Sequence, residues 1–431
     1  MPPARIVYLG GGSTRAPGTV AAFVEQAVNF AGSEVVLVDL DPARLELVAR
    51  LARKMVEARR ADLQVSFTTN REKALDGADA VLSSFRPGGF EARRLDERIP
   101  LEHGVIGQET QGPGGFFMAL RSIHVLKAVC AEIERLCPGA MLFNYTNPVN
   151  VVAQAVSLFS PVPVVSLCEG PIIFPREVAR YAGLDPDRVR AEMVGLNHAC
   201  WSTRATYDGE DIMPLLDEAL GRVRDDPTAP ADARRLLEIA TTMRSLPASY
   251  MKYYFHRDEL LAELRAKPTT RAEDILAAMP SYWRHYEEQA GSGDPRLEPS
   301  LSRGGIFELE LAVNVMASWL NDRGEVWPVN VPNHGALPGF PDDRVVEVYG
   351  VVDRSGVRPV SSQPPPPPVR GLVGALGEYQ DLAAQAAWQG EREDGVRALA
   401  ANPLVPTLRL ARELYAALSA AHAEYLPARL R

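Results

Sequence analysis

The run Arg5-Ile6-Val7-Tyr8-Leu9-Gly10-Gly11-Gly12-Ser13-Thr14-Arg15 constrains this chain more than any other segment. A short apolar strand meets a glycine turn, and a helical pattern over 20–30 follows. Glycines let the backbone approach a pyrophosphate, and the following helix presents free N–H groups and its positive dipole end. Ser13 and Thr14 add hydroxyl donors. A second strand pattern over 34–40 carries Asp39 near its end. A carboxylate there can accept from ribose hydroxyls and repel a 2′-phosphate. Gly10, Gly11, Gly12, Ser13, Thr14 and Asp39 are therefore the candidate cofactor residues, and NAD is favoured over NADP. Arg15 stands where the third glycine of G-x-G-x-x-G would be. The bland alternative for Asp39 is a turn or helix-capping residue.

Further strand patterns over 63–68, 80–84, 140–143 and 162–167 alternate with helical ones over 42–57, 122–137 and 148–158. Asp41 is the expected N-cap of the first of these helices. Such alternation implies a parallel sheet covered on both faces. From about Cys200 amphipathic segments dominate, over 234–246, 257–266, 271–278 and 306–320. Late strands are expected over 345–352 and 358–360, with helices from 372 onward. The expected fold is α/β: a Rossmann-like doubly wound parallel sheet followed by a mainly helical α+β domain. Residues 1–200 form the NAD-binding domain in this reading, and 201–431 a C-terminal domain for substrate binding and oligomerisation. The five prolines at 364–368 cannot be helix and read as an extended surface spacer rather than a partner motif.

Composition excludes several classes. A net charge of −9 with no basic tract argues against a nucleic-acid binder. No apolar stretch reaches about 18 residues, so no membrane span is expected. The four cysteines show neither C-x-x-C spacing nor disulfide-framework density. The chain runs straight into a strand pattern without a signal peptide, so a reducing cytoplasm is the expected location.

Two of the polar residues stand out as a pair. Cys168 lies in Ser166-Leu167-Cys168-Glu169-Gly170-Pro171, and His198 in Gly195-Leu196-Asn197-His198. Thiolate and imidazole are good ligands for a borderline divalent metal. Each follows an apolar segment of the kind that delivers side chains to a strand end. A dinucleotide site and a metal site together suggest oxidation of a substrate hydroxyl whose oxygen sits on the metal. The structural alternatives are a buried apolar cysteine and a satisfied core histidine.

Longer motifs carry a family likeness. Leu95-Asp96-Glu97-Arg98-Ile99-Pro100-Leu101 leads into Gly104-Val105-Ile106-Gly107-Gln108-Glu109-Thr110-Gln111-Gly112-Pro113-Gly114-Gly115. Asn144-Tyr145-Thr146-Asn147-Pro148, Cys168-Glu169-Gly170-Pro171 and Gly195-Leu196-Asn197-His198 follow in order. This series resembles glycoside hydrolase family 4, the NAD- and manganese-dependent glycosidases. Segments around Pro247–Tyr254, Thr270–Asp274, Ser302–Gly305 and Val331–Gly335 look like its 6-phospho-β-glucosidase subgroup. Two positions depart. Glu169 stands where β-specific members usually carry Asn and α-specific members often carry Asp, and Ile306-Phe307 replaces small or tyrosine residues. Anomer preference and the need for a 6-phosphate therefore stay open.

The resemblance implies a redox-assisted elimination, outside the two-carboxylate scheme of most glycosidases. The sugar is oxidised at C3 by NAD, deprotonated at C2, cleaved at C1 by elimination, hydrated and re-reduced. Cys168 and His198 match the metal ligands, and sugar hydroxyls complete the coordination sphere. Tyr250 matches the catalytic base, with Tyr253 as the neighbouring alternative. Glu169 could protonate the leaving oxygen or support the metal ligands. Asn144, Asn147 and Asn197 could bind sugar hydroxyls or the nicotinamide amide, or act as turn amides, and Glu109 could order the site. Arg93 and Arg271 are candidate phosphate contacts, with Arg303 a third and a solvated face charge the alternative.

The resulting expectation is a glycosidase for 6-phospho-β-glucosides that uses NAD and Mn²⁺ or another divalent metal and forms a homodimer or homotetramer. The alternatives are an α-linked or unphosphorylated substrate, an NAD-dependent hydroxy-acid dehydrogenase, and a non-catalytic sugar-phosphate sensor.

Overall fold

Apolar runs without polar alternation make strands that are buried on both faces. Ile6-Val7-Tyr8-Leu9 is such a run, and none of the four is more than 4% exposed. The computed structural model describes residues 3–301 and 309–431. It contains strands β1 (Arg5–Leu9), β2 (Ser33–Val38), β3 (Leu63–Thr68), β4 (Ala80–Ser83), β5 (Met141–Asn144) and β6 (Val164–Ser166). They pair in parallel in the order β3-β2-β1-β4-β5-β6. This is the doubly wound dinucleotide-binding order, whose crevice opens at the carboxyl ends of β1 and β4.

The sheet continues through antiparallel strands. These are β7 (Val189–Leu196), β8 (Ala199–Tyr207), β9 (Glu210–Asp211), β10 (Glu325–Pro332), β11 (Val345–Asp353) and β12 (Gly356–Pro359). β10 and β11 insert between β6 and the β7–β8 hairpin, and β12 pairs with β11. That insertion brings Asn330 opposite Ser166 and Glu347 opposite Gly195. One sheet thus carries the strand ends before Cys168 and before His198.

Several elements depart from the sequence reading. The helix Gly112–Leu136 starts at Gly112 rather than 122. Gly112-Pro113-Gly114-Gly115 has poor helix propensity, yet Pro113 suits a first turn and Phe116 and Phe117 anchor it at 0% exposure. The helix Gly89–Glu102 was not expected, and it contains Pro100. The helix Arg271–Ala290 runs past 278 and through Pro280. The first helix is Ala16–Glu25, and Ala27–Phe30 is a separate 3₁₀ turn. β10 carries Pro328 and Pro332, which suppress a strand reading. The proline run ends in a short 3₁₀ turn, Pro367–Val369, rather than extended chain throughout. Asp41 caps its helix as expected, accepting from the N–H groups of Ala43 and Arg44 at 3.0 and 3.1 Å. No helix among the described residues is long and apolar enough to cross a membrane.

A buried ion pair locks two helices behind the site. Arg121 donates to Asp96 through Nη1 at 2.9 Å and Nη2 at 2.6 Å, and both side chains are fully buried. His422 Nε2 lies 2.9 Å from Asp96 Oδ1, close enough for an ion pair but off the axis of a good hydrogen bond. Burial pushes the Asp96 carboxyl up, but Arg121 and His422 outweigh it, and the net shift is below the ordinary value. A carboxylate with a depressed native pKa adds stability above its unfolded value of about 3.9, and that stability is lost as pH falls. Asp96→Asn leaves the Arg121 cation without its partner charge. We expect it to lower the unfolding free energy at pH 7 by about 3–5 kcal/mol, measured by urea titration. The difference between parent and variant should shrink as pH falls below the ordinary carboxylate range.

Candidate active site

The glycine turn follows β1 and packs under the end of β4. Gly10 has φ +102°, and a Cβ there would lie 2.1 Å from the carbonyl oxygen of Ser84. Only glycine fits so close an approach. The N–H of Gly12 donates to Asp39 Oδ2 at 2.8 Å, and that of Leu40 donates to Oδ1 at 2.7 Å. Asp39 therefore braces the turn as well as lining the cavity beside it. That cavity, about 690 Å³, is also lined by Gly10, Gly12, Ser13, Thr14, Phe85 and Asn147. Gly11 supports the turn from behind, donating its N–H to the Val38 carbonyl at 3.0 Å.

The turn fits a bound pyrophosphate on its own evidence. The Ser13 hydroxyl oxygen is buried and has no hydrogen-bond partner among the described residues. A buried hydroxyl without a partner costs about 1–3 kcal/mol, so a ligand oxygen is the natural recipient. The far half of the chain closes the cavity. Tyr286 donates its hydroxyl to the Thr14 carbonyl at 2.9 Å, and Trp283, under the Arg44 guanidinium at 4.0 Å, walls the rim.

The second cluster lies where β6 and the β7–β8 hairpin end. Cys168 follows β6, and Asn197-His198 forms the hairpin's two-residue turn, with His198 at φ 62°. His198 Nε2 stands 3.6 Å from Cys168 Sγ. Two ligand bonds of roughly 2.0–2.3 Å span that gap around one ion. Among the described residues no group of three His, Cys, Asp or Glu could hold a metal ion, so a metal held by this pair would keep coordination positions open. Burial lowers the His198 imidazole to about 4, with Glu109 opposing, so it is neutral and in its ligand form near pH 7. Burial raises the Cys168 thiol to about 12, and Glu347 and Glu169 add to the rise. Only a cation at this spot would bring it to the thiolate.

Tyr250 lies flat on the His198 ring, with centroids 3.8 Å apart and planes 6° from parallel. Burial raises its phenol, Glu109, Cys168 and Tyr253 add to that, and Arg93 opposes. Tyr253 sits farther off, its ring centroid 6.3 Å from that of Tyr250. Glu169 accepts from the Tyr145 hydroxyl at 2.7 Å, and Tyr145 and Asn147 line the inner end of the cofactor cavity.

The expected substrate residues divide. Arg93 is buried and held by two carboxylates, Glu97 Oε1 at 2.7 Å and Glu109 Oε1 at 2.9 Å. Glu109 also pairs with Arg86. Asn197 donates to Glu347 Oε1 at 2.9 Å, and its side chain also favours the Cys168 thiolate. Asn144 is fully buried and works as a turn amide, joining Ser83, Thr146 and Ser166 across three strand ends. Arg271 is exposed at the start of its helix, without a hydrogen bond or ion pair among the described residues. Its neighbour Ala272 donates its N–H to Glu97 Oε2 at 2.8 Å, which links that helix start to Arg93. Arg303 and Ile306-Phe307 lie outside the described residues.

Some participants escaped the sequence reading. Tyr145 and Thr110 gave no signal beyond membership of a motif, and Arg86 gave none. Glu347 had one: it is a lone carboxylate inside the apolar run Val345-Val346-Glu347-Val348. It is 1% exposed and accepts from both Asn197 and Asn330.

Comparison with known proteins gives the family. The model described as Family 4 glycosyl hydrolase matches residues 5–184, and that of the family's C-terminal domain matches residues 193–405. A Bacillus subtilis (strain 168) protein named probable 6-phospho-beta-glucosidase is 36% identical over 98% of this chain and 97% of its own. The Thermotoga maritima 6-phospho-beta glucosidase, solved with NAD and glucose-6-phosphate, has a TM-score of 0.83 at 26% identity, covering 98% of this chain and 99% of its own. Its form with manganese, NAD+ and glucose-6-phosphate aligns at 24% identity and a TM-score of 0.83 over the same shares, a likeness of fold. A lactate dehydrogenase of Cryptosporidium parvum shares the fold alone, with a TM-score of 0.54 at 16% identity over 90% of this chain and 99% of its own. The chain belongs to family 4 of the glycosyl hydrolases.

Proposed function

We propose that this glycosidase hydrolyses 6-phospho-β-glucosides with NAD and a divalent metal, manganese by preference. The observation that carries the reading is the Cys168–His198 pair at 3.6 Å with Tyr250 stacked on the imidazole. The glycine-turn cavity reaches the same place through Tyr145 and Asn147. The Bacillus subtilis relative and the sugar phosphate bound by the Thermotoga maritima enzyme support the substrate class.

Residues 1–200 hold the cofactor in this reading, and 201–431 complete the substrate site. Gly10, Gly11, Gly12, Ser13, Thr14 and Asp39 hold NAD, and Cys168 and His198 hold the metal. When bound, NAD supplies a reversible hydride acceptor and the metal a Lewis acid. Tyr250 takes the C2 proton. Its buried phenol resists ionisation, so it acts as a base only beside strong positive charge, and Arg93 supplies part of that. Glu169 delivers a proton to the leaving oxygen, with the Tyr145 hydroxyl fixing its carboxyl. Asn147 meets the sugar from the cofactor side, and Asn197 keeps the hairpin turn aimed at it. Arg93 orders the site between its two carboxylates. Arg271, which has no partner charge among the described residues, reaches for the 6-phosphate. The enzyme works in the reducing cytoplasm as a homodimer or homotetramer.

Cys168→Ser and His198→Ala should each abolish Mn²⁺ binding and turnover while leaving NAD affinity unchanged, read by calorimetry. Near-parent Mn²⁺ binding in either variant removes that residue from the ligand set. Tyr250→Phe should slow turnover by roughly 10²–10⁴-fold, the usual worth of a general base. With the parent in D₂O, deuterium should enter C2 of the product sugar. Retention of rate and exchange by the Phe variant would move the base to Tyr253.

A panel of α- and β-glucosides, free and 6-phosphorylated, tests the substrate. The 6-phospho-β-glucoside should be cleaved fastest, without net NADH, and Arg271→Ala should raise KM for it but not for the free sugar. NADH rising one for one with product would instead mark a dehydrogenase. Faster cleavage of an unphosphorylated or α-linked glycoside would tie the departure at Glu169 to a changed substrate.

A further inference from the structure

The imidazole of His198 can accept a metal at Nε2 only if its proton sits on Nδ1. In the other tautomer Nε2–H would donate to Cys168 Sγ across the same 3.6 Å, and the two residues would satisfy each other. The hydrogen bonds behind the ring distinguish these states.

Gln108 Oε1 accepts from the backbone N–H of Thr110 at 2.6 Å and of Gln111 at 2.8 Å. Two N–H donors fix that atom as the amide oxygen, because an amide NH₂ accepts nothing. Thr110 Oγ1 lies 3.0 Å from the same oxygen, so its single hydroxyl proton points there. Thr110 Oγ1 is then an acceptor on its remaining sides. One side receives Gln111 Nε2 at 3.4 Å, and the other faces His198 Nδ1 at 3.0 Å. An acceptor at Nδ1 requires a proton there, and the Nε2 lone pair is left facing Cys168.

We infer that Gln108 and Thr110 are positioning residues that hold His198 in its Nδ1–H tautomer and so keep Nε2 ready for the metal. The inference rests on the metal reading above and adds the device that prepares the ligand. It also gives a reason for two glycines of the 112–115 run. A Cβ on Gly114 would come within 2.5 Å of the Gln108 carbonyl oxygen, and one on Gly115 within 2.3 Å of the Thr110 carbonyl carbon. The helix start Gly112–Leu136 is thereby pressed against the 108–110 turn, which cannot shift without displacing it. Alternation along that turn sends Gln108 and Thr110 behind His198, while Glu109 turns to Arg86 and Arg93.

Thr110→Val keeps the shape and removes the hydroxyl, and Thr110→Ser restores it. The first readout is the nitrogen NMR spectrum of reduced, metal-free protein labelled with ¹⁵N-histidine, with the His198 signals assigned by their loss in His198→Ala. The parent and the Ser variant should show Nδ1–H, and the Val variant a shift toward Nε2–H. The second readout is Mn²⁺ affinity by calorimetry. It should fall 10–100-fold in the Val variant, the usual range for a partner behind a ligating histidine, and return in the Ser variant. NAD affinity should stay constant throughout and serves as the folding check. An Nε2–H tautomer in the parent overturns the inference, and so does Mn²⁺ affinity in Thr110→Val equal to the parent's. If the Val variant does not fold, the parent's tautomer still decides. If Cys168→Ser and His198→Ala bind Mn²⁺ like the parent, the metal reading fails separately, and the tautomer is judged by NMR alone.

Discussion

The active site depends on a cation held at depth. Arg93 is 5% exposed and sits between Glu97 and Glu109, and each carboxylate has a further task. Glu97 anchors the backbone of Ala272 at the start of a helix from the far half of the chain. Glu109 also holds Arg86, which lines the cofactor cavity. Removing one partner of such a pair strands a buried charge and costs several kcal/mol. The network therefore ties the cofactor wall, the 107–110 turn and the C-terminal half into one frame. It also sets positive charge near Tyr250, against the burial that raises that phenol.

Burial controls the protonation of the Cys168–His198 pair as well. The imidazole of His198 is kept neutral and the thiol of Cys168 is kept protonated, both by desolvation first. On the proposed metal reading the imidazole is ready and the thiol needs a cation beside it, so metal arrival should release a proton. Below them Glu347 lies in β11 with its carboxyl raised by burial and tempered by Asn197, Cys200 and Asn330. It joins two strands from the C-terminal half to the hairpin turn that carries His198. The left-handed backbone of His198 costs a little locally. The hydrogen bonds of the neighbouring Asn197 and the stack with Tyr250 help to hold it.

The two halves of the site were unequally legible. Cys168 and His198 announced themselves because thiol and imidazole at strand ends are uncommon and chemically specific. The glycine turn did so because pyrophosphate binding needs consecutive small residues in one stretch of chain. Arg93 was expected to meet a phosphate, and the carboxylates that hold it were not legible: Glu97 is one helical turn away, while Glu109 comes from a separate loop. Asn144 looked like a sugar contact, and its hydrogen bonds are all spent on three strand ends. Thr110 was invisible, since its meaning comes from a histidine 88 residues away in the chain. The helix Gly112–Leu136 was shortened in the sequence reading because its opening glycines and proline resemble a loop, and burial of Phe116 and Phe117 overrides that propensity.

Sequence alone determined the local physics: the apolar runs that must become buried parallel strands, the glycine turn, and the chemical types at the candidate metal and base positions. Those properties depend on neighbours along the chain, so they are written in order. Tertiary structure decided what depends on distant groups meeting. It inserted β10 and β11 between β6 and β7, which puts Glu347 under the hairpin turn. It laid Tyr250 on His198, put Thr110 behind the ring and held Arg93 between two carboxylates. Proton positions and charge states follow from desolvation and from hydrogen bonds between remote segments, and neither exists until the chain has folded.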